Sequence, residues 1–293
     1  MKKVLLTGGS GFIGRNIQES YLRDKYEIIA PRHAELDVAD TESVDNYFRN
    51  REFDIILHCA VKPGHRNAKD PSNLFYNNIR MFANLERHKD RFGKLINFGS
   101  GAVYDTAANN ADVTEEQIFQ NMGSDDHSFC KYMIAKLIEE RKGFIDLNIF
   151  GIFGKYEDYS IRFISNAICK ALLDLPITLR QNRRFSYLDI NDLPPILEFF
   201  MDNTPRYHSY NIVPDSPAEL KQIAETIREI SGKDLAINIA NPGYGLDYYG
   251  SNLRLKKEFT PIFRPLKQSI IELFNYYNSI KKQLNYQEFL QDK

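Results

Sequence analysis

The segment HSFCKYMIAK, residues 127–136, holds two pairs of side chains able to handle protons. Tyr132 stands four residues before Lys136, and His127 stands four before Lys131. On a helix, residues four apart lie one above the other, so either pair would set a hydrogen-bond donor beside a cation. Such a pairing suits chemistry in which an oxygen gains negative charge, because that oxygen needs a donor and finally a proton. A helix presents only one of these pairs to a given site.

The elements that must position the pair follow from hydrophobic rhythm. KVLL (3–6), YEIIA (26–30), FDIILHCA (53–60), KLINF (94–98) and FIDLNIF (144–150) read as strands. Residues 12–24, 41–50, 71–88 and 127–142 read as helices between them. This βαβα alternation predicts an α/β fold, a doubly wound parallel sheet with helices on both faces. After residue 155 the rhythm breaks. Helical patterns at 160–173, 217–231 and from about 267, with strand-like pieces at 185–189 and 209–213, predict a smaller interleaved lobe. The expected division is 1–155, with returning segments at about 185–215, against a substrate lobe of 156–184 and 216–293.

Bulk composition narrows the function. The 293 residues carry a formal net charge of −1, which gives no electrostatic footprint for nucleic acid or an anionic membrane. Hydrophobic residues at 43% supply a sizeable core. No apolar run approaches the roughly 18 residues of a membrane span. Cys59, Cys130 and Cys169 are scattered, with no metal-ligand spacing, as for reduced thiols in a cytoplasmic protein. No metal is expected.

TGGSGFIG (7–14) follows the first strand and opens the first helix, placing glycines at 8, 11 and 14. Glycine there permits a tight turn and lets backbone N–H groups approach a pyrophosphate at the helix's positive end. At the end of the second strand, Arg32 and His33 stand where a carboxylate would hold the ribose hydroxyls of NAD. Arginine suits a 2′-phosphate, so NADP(H) is expected, with NAD(H) the alternative. Asp37 follows closely enough to reach an adenine amine.

Taken together, these stretches resemble an extended short-chain dehydrogenase/reductase of the NAD(P)-dependent sugar epimerase/dehydratase family, with its Rossmann-type sheet. The likeness rests on TGGSGFIG, ILHCA (56–60), NNIRMFANLE (77–86), FGSGAVYD (98–105), FGIFGKYEDY (150–159) and RRFSYLDINDL (183–193). It implies cofactor contacts from Gly8, Gly11, Phe12, Ile13, Gly14, Val38, Cys59, Ala60 and Lys131. It implies substrate-side roles for Asn78, Tyr104 and Arg183, and a nucleotide-linked sugar as substrate. Arg184, where the family has aspartate, offers extra charge for a diphosphate. A homodimer through the helices at 71–88 and 127–142 is likewise implied.

The resemblance also chooses between the pairs. In the family, the helix after the active lysine is buried one, two, six and seven residues on. From Lys131 these positions are Tyr132, Met133, Leu137 and Ile138, whereas from Lys136 they include Lys142 and Gly143. Lys136 also leaves too few turns before the strand at Phe144. Lys131 is therefore the expected ribose-binding lysine, Ser100 the carbonyl-polarising hydroxyl, and His127 the group in the proton donor's place. An imidazole with an ordinary pKa near ~6.5 can serve as an acid near neutrality. Asp125 and Asp126 precede it as candidate helix caps.

Gly101 and Ala102 stand where the family's dehydratases carry an acidic pair, and Ala102 where its epimerase-reductases carry cysteine. Elimination and that route of epimerisation are thus not expected. The expected reaction is NADP(H)-dependent reduction of a nucleoside-diphosphate 4-keto-6-deoxy sugar at C4, serving surface-polysaccharide synthesis. The alternatives are an NAD-dependent C4 epimerase and a non-catalytic NADP(H)-binding homologue that has lost its tyrosine.

Overall fold

The computed structural model describes residues 1–64, 67, 68, 70 and 72–290. Six parallel strands form the main sheet: β1 (Lys3–Thr7), β2 (Glu27–Ile29), β3 (Phe53–His58), β4 (Phe92–Phe98), β5 (Phe144–Asn148) and β6 (Ser209–Asn211). Their order across the sheet is β6-β5-β4-β3-β1-β2. Strand β1 therefore has its sequence neighbour on one side and β3 on the other. The crevice beyond the ends of β1 and β3 is the switch point at which such sheets bind ligands.

The sheet is buried on both faces, which explains why its strands are near-continuous apolar runs. Alternate residues point opposite ways. Val4, Leu6, Ile55, Leu57 and Ile96 pack in one core cluster, while Leu5, Ile56 and Leu95 pack in the other. Each such side chain contributes about 1.5–3 kcal/mol relative to exposure. Helices α1 (Phe12–Glu19), α2 (Thr41–Phe48), α3 (Leu74–Glu86) and α4 (Asp126–Glu139) connect the strands.

Further along, α5 (Phe163–Leu172), α6 (Leu193–Asp202), α7 (Leu220–Ser231) and α8 (Leu266–Ser279) follow. Helix α6 packs on the main sheet, but α5, α7 and α8 share a separate core around Ile168, Ile223 and Leu273. One feature departs from the expected strand pattern. Asn110–Val113, within the first 155 residues, joins a four-stranded sheet with 184–185, 218–219 and 248–250. Residues 110–113 (NADV) alternate too weakly to mark a strand by pattern alone. Among the described residues, no helix is long and apolar enough to cross a membrane. The three cysteines are free thiols.

Candidate active site

Helix α4 begins where Asp125 caps it. Its Oδ1 accepts from the N–H groups of His127 and Ser128, both at 3.0 Å, and its Oδ2 accepts from Ser128 Oγ at 2.6 Å. That cap satisfies two of the helix's orphan donors and fixes its rotation. His127, Lys131 and Ile134 then fall on one stripe, and all three line a cavity of about 540 Å³. Ser100 lines the same cavity from the end of β4. Tyr132 and Lys136 do not. Tyr132 meets Phe119 edge-on at 5.6 Å between ring centroids, and the Lys136 ammonium lies 4.5 Å over the same ring.

The buried face of α4 differs from the expected one. Cys130, Ile134 and Ile138 form its core stripe, with Ser128 and Ala135 beside them, whereas Tyr132, Met133 and Leu137 are half-buried on the flank. A one-in-four repeat from Cys130 faces the sheet more directly than the positions one and two residues after Lys131 can.

Lys131 Nζ donates to Phe98 O at 3.0 Å. Burial pulls its pKa below the ordinary value, while Asp146 beside it opposes the shift. Asp146 is buried on β5, accepts from Asn97 Nδ2 at 2.6 Å, and is pushed up to about 6 by burial. The neutral form of His127 is the favoured one, as a cation four residues away would have it. Burial, then the Lys131 ammonium, push it down to about 4, so the ring is neutral near pH 7. A neutral imidazole offers an N–H hydrogen bond rather than a stored proton. Among the described residues, its ring makes no hydrogen bond, and it faces open cavity.

Ser100 caps the short turn Gly101–Tyr104, its Oγ accepting from Ala102 N at 3.1 Å. Tyr248, buried and unforeseen in the sequence, places its hydroxyl against this turn. A Cβ at Gly101 would lie 2.8 Å from that hydroxyl and 2.5 Å from the Phe150 ring, so no side chain fits there. Ala102 is also buried. The acidic pair of a dehydratase is absent and has no room.

The glycine loop forms a cradle at the foot of the cavity. Gly8 has φ +71°, and a Cβ there would lie 2.7 Å from Ala60 N; one at Gly14 would lie 2.4 Å from Gly8 O. Arg15 is the first residue to close the helix, donating to Gly11 O at 2.9 Å. The N–H groups of Phe12, Ile13 and Gly14 thus lack helical acceptors, and these residues line the cavity. Gln18, with no sequence signal of its own, braces the loop through Gly9 O at 2.7 Å. An open, donor-rich cradle of this kind fits a pyrophosphate.

A second cavity of about 490 Å³ shares Gly8, Gly11, Cys59 and Ala60 with the first. It extends past His33, Asp37 and Val38. Asp37 already accepts from Ala39 N at 2.9 Å and lies 3.6 Å from His33. Arg32 is exposed outside that wall, its backbone held by Glu35. His58, which joins Thr7 Oγ1 at 2.9 Å, is pushed to about 3 by burial and ties β3 to β1. His65 lies outside the described residues, as does part of the loop 62–70.

The three substrate-side residues fare differently. Asn78 lines the cavity, but its amide is spent on Lys62 N, Lys62 O and Leu74 O at 2.8–3.0 Å, so it holds a loop rather than a ligand. Tyr104 is buried, donates to Asn211 Oδ1 at 2.7 Å and stacks on Phe150, away from the cavity wall. Arg183 sits beside the wall, 5.2 Å over the ring of Phe185, with no ion pair among the described residues. Arg184 is instead committed to Asp247, at 2.5 and 3.1 Å. Asn148, where the family often has arginine, is buried and donates to Ser209 Oγ at 2.8 Å. Sequence reasoning also missed Glu157, a buried carboxyl in the cavity wall.

The model of the NAD dependent epimerase/dehydratase family matches residues 4–213. Among curated proteins, GDP-L-fucose synthase of Azorhizobium caulinodans is 36% identical over 107 residues, 35% of this chain and 34% of that protein. GDP-L-colitose synthase of Yersinia pseudotuberculosis is 27% identical over 184 residues, 57% of this chain and 59% of the other. The chain therefore spans about a third and about three fifths of these relatives. Among solved structures, a GDP-mannoheptose C4 reductase from Campylobacter jejuni with NADP bound is alike in fold. Its TM-score is 0.81 at 19% identity, over 94% of this chain and 98% of that one.

Proposed function

The chain belongs to the NAD dependent epimerase/dehydratase family, and from that premise we propose that it reduces a nucleoside-diphosphate 4-keto-6-deoxy sugar at C4 with NADP(H). The observation that carries this reading is the meeting of Ser100, His127 and Lys131 on one cavity that opens from the glycine cradle. The relatives are named for GDP-linked sugars, which supports guanosine as the base. The closed space at Gly101 and Ala102 supports plain reduction over elimination.

When bound, the dinucleotide supplies a hydride. The cradle residues Gly8, Gly11 and Gly14 would hold its pyrophosphate, and Lys131 its nicotinamide ribose. As the substrate's carbonyl oxygen takes up charge, the Ser100 hydroxyl and the His127 N–H donate to it, the Lys131 ammonium holds the local potential positive, and the alkoxide would take its proton from solvent water. Tyr248 closes on the Ser100 turn from behind. The assembly in this proposal is a homodimer through α3 and α4, where Phe75, Ile79, Met133 and Leu137 are half-buried.

One observation favours a second reading, a non-catalytic NADP(H)-binding homologue: His127 stores no proton near neutrality. Both readings meet one experiment, NADPH consumption with GDP-4-keto-6-deoxymannose by wild type, His127→Phe and His127→Tyr. Turnover by wild type that is lost in His127→Phe supports the reductase. An inert wild type that gains activity in His127→Tyr selects the homologue.

A further inference from the structure

The cavity has two unlike walls. One carries Ser100, His127 and Lys131, and the other is built by the smaller lobe from Glu157, Ile161, Arg162, Phe163, Phe185 and Tyr187. Glu157 is the carboxyl in that second wall. It is 7% exposed and accepts from Ser165 Oγ of α5. Among the described residues, no cation lies within ion-pair distance of it. Burying a carboxyl without a counter-ion is costly, so the position calls for a purpose beyond packing.

We propose that Glu157 is a substrate-binding residue that reads a hydroxyl of the sugar, as a protonated carboxyl that donates one hydrogen bond and accepts another. This rests on the nucleotide-sugar reading above and adds the residue that senses the sugar itself. The catalytic wall meets the reacting carbonyl, so the opposite wall meets the sugar's remaining substituents. A neutral carboxyl there pairs with a hydroxyl without adding charge to a ligand that already carries a diphosphate. A carbon-bound hydrogen in the hydroxyl's place would leave the carboxyl unpartnered, which makes the contact selective.

The groups facing Glu157 are Arg162 and Asp158 on its own segment, Tyr187 from the strand Tyr187–Asp189, and Tyr277 from α8. Arg162 favours ionisation and Asp158 opposes it, but burial outweighs both and raises the carboxyl to about 8. A sugar that covers the cavity strips more water from it and raises it further. Binding of the sugar is thereby coupled to proton uptake above about pH 8.

The test is calorimetric binding to the NADP-loaded protein of GDP-L-fucose, with GDP as the sugar-free control, at about pH 7 and about pH 9. In wild type, the affinity gained from the sugar should fall about tenfold between these values, as the free carboxyl ionises. Glu157→Gln, neutral and of the same shape, should keep the gain at both. Glu157→Leu should lack it at both while still binding GDP. Lys131 is common to all three proteins, so a pH effect of its own cancels in the comparison. Equal sugar gains in all three proteins would overturn the proposal. A change in NADP affinity alone would assign Glu157 to the cofactor and overturn it too. Failure of wild type to bind either nucleotide would instead sink the GDP-sugar reading itself.

Discussion

His127 gives the sharpest prediction, because its charge state and its hydrogen bond predict separate effects. Its pKa of about 4 lies well below the ordinary 6.5, with burial the first cause and Lys131 the second. At about 1.4 kcal/mol per tenfold, charging the ring inside the fold costs about 3 kcal/mol. A depressed folded pKa means stability is full above about 6.5 and is lost as pH falls toward about 4. Wild type should therefore lose up to about 3 kcal/mol more than His127→Phe across that window in urea unfolding. Catalysis should behave differently. An imidazolium acid with an ordinary pKa would make kcat fall tenfold per pH unit above about 6.5. A neutral N–H donor makes no such limb, so kcat from about pH 6 to about pH 7.5 should carry no slope from His127. Losing one donor to the developing oxyanion should still lower kcat by about 10²–10³ in His127→Phe, with NADPH affinity unchanged. A wild-type limb near 6.5 that vanishes in His127→Phe would refute the burial argument. Activity retained within threefold in that variant would refute the donor role.

Three shorter predictions follow from the same geometry. Tyr132→Phe and Lys136→Met should each leave kcat within about twofold and cost about 1 kcal/mol or less, since both side chains pack on Phe119, outside the cavity. Steady-state kinetics checks this, and loss of turnover in Tyr132→Phe would restore the other lysine. Arg32→Ala should raise KM for NADPH by about 10–100-fold and leave NADH nearly untouched, as expected for one charge-assisted bond to a 2′-phosphate. Equal effects on both cofactors would remove Arg32 from the site. Tyr248→Phe should lower kcat about tenfold with little change in KM, because it removes the hydroxyl packed against the Ser100 turn without opening the cavity. A change in thermal stability alone would make Tyr248 a packing residue.

The sheet was legible in the sequence because its inner strands are buried on both faces. Val4, Leu5 and Leu6 must all be apolar when alternate residues serve different cores. The strand Asn110–Val113 escaped because its ladder partner lies more than 130 residues away, at 248–250. Only Asn110 and Val113 of its four residues are buried. Weak local pattern plus remote pairing leaves nothing for a window of sequence to detect. The orientation of α4 shows a subtler limit. The stripe of His127 and Lys131 followed from four-residue spacing, but the expected burial of Tyr132 and Met133 did not. Which shoulder of a helix is covered depends on neighbours such as α3, and no single helix's sequence states that.

The site divides along the same line. Gly8, Gly11 and Gly14 announce themselves because a close approach of backbone demands glycine wherever it occurs. Asn78 reaches the cavity wall and Tyr104 does not, and one amide is consumed by Lys62 and one hydroxyl by Asn211. Position alone did not disclose that their polar atoms were already engaged. Glu157 and Tyr248 show the converse. Nothing in YED or DYY separates a buried acid or phenol from an exposed one. Glu157 becomes notable only once Ser165 and the wall of the smaller lobe enclose it. Chemistry carried by backbone is written locally, whereas chemistry carried by a buried side chain depends on which distant segments close over it. The proposed reductase, with histidine in the tyrosine's place on α4, would therefore depend most on the contacts hardest to read in its sequence: Tyr248 behind Ser100, and Glu157 across the cavity from His127.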